Sequence, residues 1–100
     1  MSTKELQKRI YQNKVNKGWN VTNVEKEICL LHGELAELYE AYRRHLPTVG
    51  EELADAAIYL LGLAEILGGI DLGEEVEKKM QINEHRRYVR INGVDTRICD

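Results

Sequence analysis

The stretch "EELADAAIYLLGLAEILG", residues 51–68, decides the fold. From Ala56 to Ala64 it holds nine uncharged, mostly apolar residues, and the turn before them carries Glu51, Glu52 and Asp55. A helix that is apolar almost all round is the most buried member of a bundle. Carboxylates at the edge of such a segment need a balancing charge. Burying one unpaired costs several kcal/mol or forces it to take up a proton.

Working outward, "GG" at residues 68–69 ends this helix, and the capping box "TVGE" from Thr48 to Glu51 starts it. Upstream, a helix is expected from about Thr3 to Lys17, with Leu6, Ile10 and Val15 inward and Gly18 as its stop. A second helix opens on the box "TNVE", Thr22 to Glu25. It places Val24, Ile28, Leu31, Leu35, Leu38 and Tyr42 on one apolar stripe before Pro47 breaks the chain. Downstream, the box "DLGE", Asp71 to Glu74, opens a fourth helix running to about Arg87 through Val76 and Met80. The remaining stretch, "YVRINGVDTRICD", carries Asn92-Gly93 between alternating residues, a type I′ hairpin signal. The expected fold is therefore all-α: one domain over residues 1–100, a four-helix bundle of about 3–87 with a short hairpin or extended arm over 88–100. An isolated hairpin is marginal in water, so the arm is expected to lean on a neighbouring subunit. The uncovered apolar surface of the third helix likewise calls for a homo-oligomer.

Composition narrows the function classes. With 43% hydrophobic and 31% charged residues the chain reads as a soluble globular protein. A net charge of -3 provides no electrostatic footprint for nucleic acid, and no apolar run reaches the roughly 18 residues of a membrane span. Cys29 and Cys99 lie far apart with no CxxC, which argues against zinc and for reduced thiols in a cytoplasm. His32, His45 and His85 show no metal-ligand spacing, and the absence of Glu-x-x-His argues against a di-iron bundle.

The chemistry lies in the acids. Glu34 and Glu37 stand one turn apart on the second helix, and Glu52 and Asp55 repeat that spacing on the third. The capping box assigns Glu51 to the Thr48 backbone and leaves Glu52 free to point elsewhere. Four carboxylates gathered between two helices repel one another by about 4 kcal/mol per pair at roughly 4 Å and an effective dielectric near 20. A hard divalent cation such as Mg²⁺, with Mn²⁺ as a substitute, meets that need. On the fourth helix Lys79, Asn83 and Arg86 share one face and suit the oxygens of a metal-bound polyphosphate. Each group has a plainer reading taken singly: a solvated edge, first-turn acids favoured by the helix dipole, an exposed basic face. Their conjunction points to a metal site.

At this point the sequence resembles the MazG-like all-α nucleoside triphosphate pyrophosphohydrolases. Their ExxE and ExxD motifs, separated by one to two dozen residues, are matched by "ELAE" (Glu34–Glu37) and "ELAD" (Glu52–Asp55) with 14 residues between. "LLHGELAELYEAYRR", "GEELADAAIYLLGLAEILGGIDL" and "KMQINEHRRY" read like members of the group, over residues 12 to 90. The resemblance implies an oligomeric bundle with Mg²⁺ on Glu34, Glu37, Glu52 and Asp55, and phosphates near Lys79, Asn83 and Arg86. It further implies hydrolysis of a nucleoside triphosphate to the monophosphate and pyrophosphate as nucleotide-pool housecleaning. Glu37 is the candidate to orient or deprotonate the attacking water. Trp19 falls where small members carry an aromatic and is a candidate base contact, with packing beneath the bundle as the plainer reading. Some relatives carry another acid one turn before "GEL", where this chain has Leu31, so using Glu34 with Glu37 is a choice of register. The alternatives are a nucleotide- and metal-binding module of the same fold without turnover, and an oligomeric interaction protein whose acids are surface charge.

Overall fold

A computed structural model describes residues 1–99, with the backbone alone for Cys99; Asp100, the last residue of the expected arm, lies outside the described residues. Four helices, α1 (Thr3–Lys17), α2 (Val24–Arg43), α3 (Val49–Ile66) and α4 (Leu72–His85), precede two strands, β1 (Arg87–Ile91) and β2 (Val94–Cys99). The mostly helical architecture is the expected one, with the last helix one turn or less shorter than expected.

Two of the three expected capping boxes are corrected. α2 starts one residue late: Asn23 is the cap and its side chain accepts from Lys26 N at 3.0 Å. Asn20 Oδ1 accepts from the N–H groups of both Thr22 and Asn23, so the donor that Glu25 would have served is already engaged. Thr48 precedes α3 but makes no side-chain cap bond, because its backbone (φ -89°, ψ 5°) is already near-helical rather than extended. Asp71 caps α4 as expected, accepting from Glu74 N at 3.1 Å. α2 ends in a Schellman-type turn in which Leu46 N donates to Ala41 O, and His45 takes the left-handed conformation (φ 56°) that glycine usually supplies.

α3 lies centrally, packed on α2 along one side and on α1 along another, while α4 meets the body chiefly through α1. The five-residue connection between α2 and α3 makes them antiparallel neighbours. Their seam is visible in the burial pattern. On α2 the covered residues include Val24, Glu27, Leu31, Glu34, Leu38 and Ala41; on α3 they include Val49, Glu52, Ala56, Tyr59, Leu63 and Ile66. Both sets recur at alternating three- and four-residue steps, the spacing of two helices packed knobs into holes. Thus Ile28, Leu35 and Tyr42, expected on the inward stripe, lie on its flank and are exposed. The same holds for Leu6 and Val15 on α1, whose buried residues are Gln7 and Lys14.

α1 approaches α3 closely at Gly62, where an added Cβ would stand 3.2 Å from both Ile10 Cγ2 and Lys14 Cε. Gln7 is 0% exposed and joins the end of α3 to the start of α4. It donates to Glu65 Oε1 (3.0 Å) and Ile70 O (2.7 Å) and accepts from Leu72 N (2.9 Å).

β1 and β2 form an antiparallel hairpin whose two-residue loop, Asn92-Gly93, has positive φ at both positions (52° and 78°), as a type I′ turn requires. The chain is open rather than compact. Its accessible surface is 7563 Å², against about 5,800 Å² for a folded monomer of 11.5 kDa. Its radius of gyration is 17.0 Å, against about 13 Å for a compact chain of this length.

Candidate functional site

The seam explains the acids. Glu34 and Glu52 occupy core-facing positions of α2 and α3, half-buried and opposed. Glu37, one turn on, is exposed and completes a group whose ligand oxygens all lie within 4.8 Å of one another. Asp55 stands one turn along α3, outside that group but near enough for its charge to act on Glu34 and Glu52. Three of the four expected acids are thus brought together, and the fourth adjoins them.

Their electrostatics are unfavourable as they stand. Burial, then the charge of Glu37, raises the pKa of Glu34 above the ordinary glutamate value of 4.5. Glu52 is raised by the same two causes in the same order, and Asp55 adds to both. One oxygen of each residue, Oε2, is buried and accepts no hydrogen bond. An orphaned, buried carboxylate oxygen is costly unless a proton or a cation meets it. Two such oxygens on facing helices, with a third carboxylate within reach, form a donor set that suits a hard divalent cation.

Glu34 and Asp55 also line a groove of about 650 Å³ between α1 and the α2–α3 pair, inside the size range of small-molecule sites. Leu6, Ile10, Ile58 and Trp19 provide apolar wall, and Arg9, Asn13 and Lys14 polar groups. Trp19 is exposed rather than packed beneath the bundle, and Lys17 Nζ lies 5.3 Å from its ring centroid, over one face. At the groove floor Lys14 is ion-paired with Glu27, their side chains 8% and 2% exposed, and lies 5.3 Å from the centre of the Tyr59 ring. Burial first, then the charges of Glu34 and Glu27, raise the Tyr59 pKa and keep its hydroxyl neutral.

The basic face is placed differently. Lys79 and Asn83 are exposed on α4, where Arg86 Nη1 donates to Asn83 Oδ1 at 3.2 Å, and α4 packs chiefly on α1. None of the three lines the groove that Glu34 and Asp55 share. Arg9, Asn13 and the Lys14–Glu27 pair went unnoticed in the sequence. Their signal was the row Gln7, Ile10, Lys14, at helical spacing and ending opposite Gly62, but lysine on such a row reads as a solvated face. Compared with known proteins, the chain matches no family model, no curated protein and no solved structure.

Proposed function

We propose that this chain is a Mg²⁺-dependent nucleoside triphosphate pyrophosphohydrolase acting as an oligomer of MazG-like bundles. The observation that supports the reading is the opposition of Glu34 and Glu52 in the α2–α3 seam, each with an orphaned buried oxygen, at the edge of a groove large enough for a nucleotide. Glu34, Glu37, Glu52 and Asp55 would hold the cation, with Mn²⁺ as a substitute. When bound, it supplies positive charge against the phosphates.

The chain's own residues divide the remaining work. Glu37, the exposed member of the Glu34–Glu37–Glu52 group, accepts a proton from water as the water oxygen bonds to the α-phosphorus. The α–β phosphoanhydride bond then breaks, releasing pyrophosphate and leaving the monophosphate. Trp19, with Leu6, Ile10 and Ile58, offers the base an apolar wall. Lys79, Asn83 and Arg86 bind phosphate oxygens. Their absence from the groove's lining within one chain favours delivery from a second copy, as does the large exposed surface.

The decisive experiment is a panel of nucleoside triphosphates incubated with and without Mg²⁺ while pyrophosphate and orthophosphate are followed. Metal-dependent pyrophosphate release is expected. Nucleotide binding without release would instead establish a binding module of the same fold.

A further inference from the structure

The hairpin over residues 87–99 is amphipathic, and its apolar side is largely uncovered by the described residues of its own chain. Register places Val89 opposite Thr96 and Ile91 opposite Val94, so all four side chains stand on one face. The other face carries Tyr88 opposite Arg97 and Arg90 opposite Asp95. Val89, Ile91 and Val94 are 40%, 51% and 64% exposed. The two strands pack extensively on each other and at most marginally on any helix. A two-stranded hairpin with a bare apolar face is marginally stable in water, and its outer edges leave backbone donors and acceptors open to another chain.

We propose that this hairpin is an exchange arm whose Val89–Ile91–Val94 face packs on the body of a second copy of this chain. Area and charge both favour that occupant. The subunit exposes about 1,750 Å² more than a folded monomer of its mass, and an obligate dimer interface hides surface of that order on each partner. Residues 86–100 carry four arginines and two acids, whereas residues 1–85 carry ten basic and fifteen acidic residues. The arm is therefore +2 on a body of -5, so arm and body of different copies attract while two bodies repel. The antiparallel ribbon follows α4 directly, with only Arg86 between helix and strand. Reciprocal exchange of such arms closes a two-fold dimer, each arm seated on the other body.

The test uses the full chain, independent of any catalytic assay. A photo-crosslinking amino acid at Val89, in an equal mixture of isotopically light and heavy chains, is expected to give covalent dimers containing light–heavy pairs. The same group at Arg90, on the opposite face, is expected to give few. In parallel, the Val89→Asp/Ile91→Asp variant should retain its helical circular dichroism and self-associate at least about tenfold more weakly by sedimentation. Cross-links confined to single chains would overturn the proposal, as would equal yields from the two faces. So would unchanged self-association of the variant, or loss of its helix signal, which would mean that the ribbon packs on its own helices.

Discussion

Replacing Lys14 by Met should cost this protein a large part of its stability, and the reason lies in what remains. Lys14 and Glu27 are ion-paired with side chains 8% and 2% exposed, so neither charge has water to fall back on. Removing one partner of a buried pair leaves the other charge stranded, at about 3–5 kcal/mol; the lost contact with the Tyr59 ring adds at most about 2 kcal/mol. Against a total stability of about 5–15 kcal/mol that is a severe loss, and it corresponds to at least about 12 °C in melting temperature for a domain of this length. Glu27→Leu should cost a similar amount. The double variant Lys14→Met/Glu27→Leu replaces the pair with apolar groups of similar length and should lie within about 1.5 kcal/mol of wild type. Urea unfolding of all four proteins at one shared concentration, followed by circular dichroism, measures the coupling directly. If Lys14→Met alone lost less than about 1 kcal/mol, or the double variant lost the sum of the singles, the pair would not be the isolated buried unit described here.

Asp55→Asn should abolish turnover while the metal-free protein melts at the same or a higher temperature, because repulsion within the acidic group falls; calorimetry with and without Mg²⁺ should show a smaller metal-induced rise than in wild type. A large drop in melting temperature with activity retained would make Asp55 a structural residue instead. For pH, Glu34 and Glu52 are raised above 4.5 in the fold, so the folded state binds more protons there than the unfolded state. Their contribution is complete below 4.5 and is lost as pH rises through the folded values, and denaturant titrations of metal-free Glu34→Gln/Glu52→Gln should lack that decline. Glu65 works in the opposite sense: the hydrogen bond from Lys4 lowers its pKa, so its contribution is present above 4.5 and lost as pH falls through the lower value. His45→Gly should stabilise by up to about 1 kcal/mol, since a left-handed φ of 56° strains any side chain with a Cβ; an unchanged or lower urea midpoint would refute this.

The helices and the hairpin were legible because their signals are local. Gly18, the tandem glycines at 68–69, Asp71 and Asn92-Gly93 act within a few residues of themselves. Burial was less legible, for a reason visible in α2. Val24, Leu31 and Leu38 face the seam, whereas Ile28, Leu35 and Tyr42, equally apolar and just as periodic, lie on the flank. An apolar side chain destined for a neighbouring molecule has the same sequence signature as one destined for its own core. The polar seam positions were misread in the complementary way: Glu27 and Lys14 look like solvated charges until α1 is laid across α3, a long-range arrangement that no helical period encodes.

The seam also offers an internal comparison for its acids. Glu27 and Glu34 are seam residues of the same helix, one heptad apart, and Glu52 faces the second from α3. Where α1 covers the seam, the buried carboxylate of Glu27 has Lys14 as its counter-charge. Beyond that point Glu34 and Glu52 keep buried oxygens with no hydrogen-bond partner, beside an open groove. A seam selected for stability alone would place apolar residues at both levels, because a buried ion pair rarely exceeds the packing it displaces. A permanent cation at one level and an open acidic level next to it are what a fold requires if the second charge is to come from outside and arrive with a ligand. Introducing an internal cation there separates the two roles. Leu38→Lys, one turn from Glu34 on the same seam, should raise the stability of the metal-free protein relative to Leu38→Met and remove its response to Mg²⁺. A Leu38→Lys protein that still gained stability from Mg²⁺ as wild type does would show that the ion binds elsewhere.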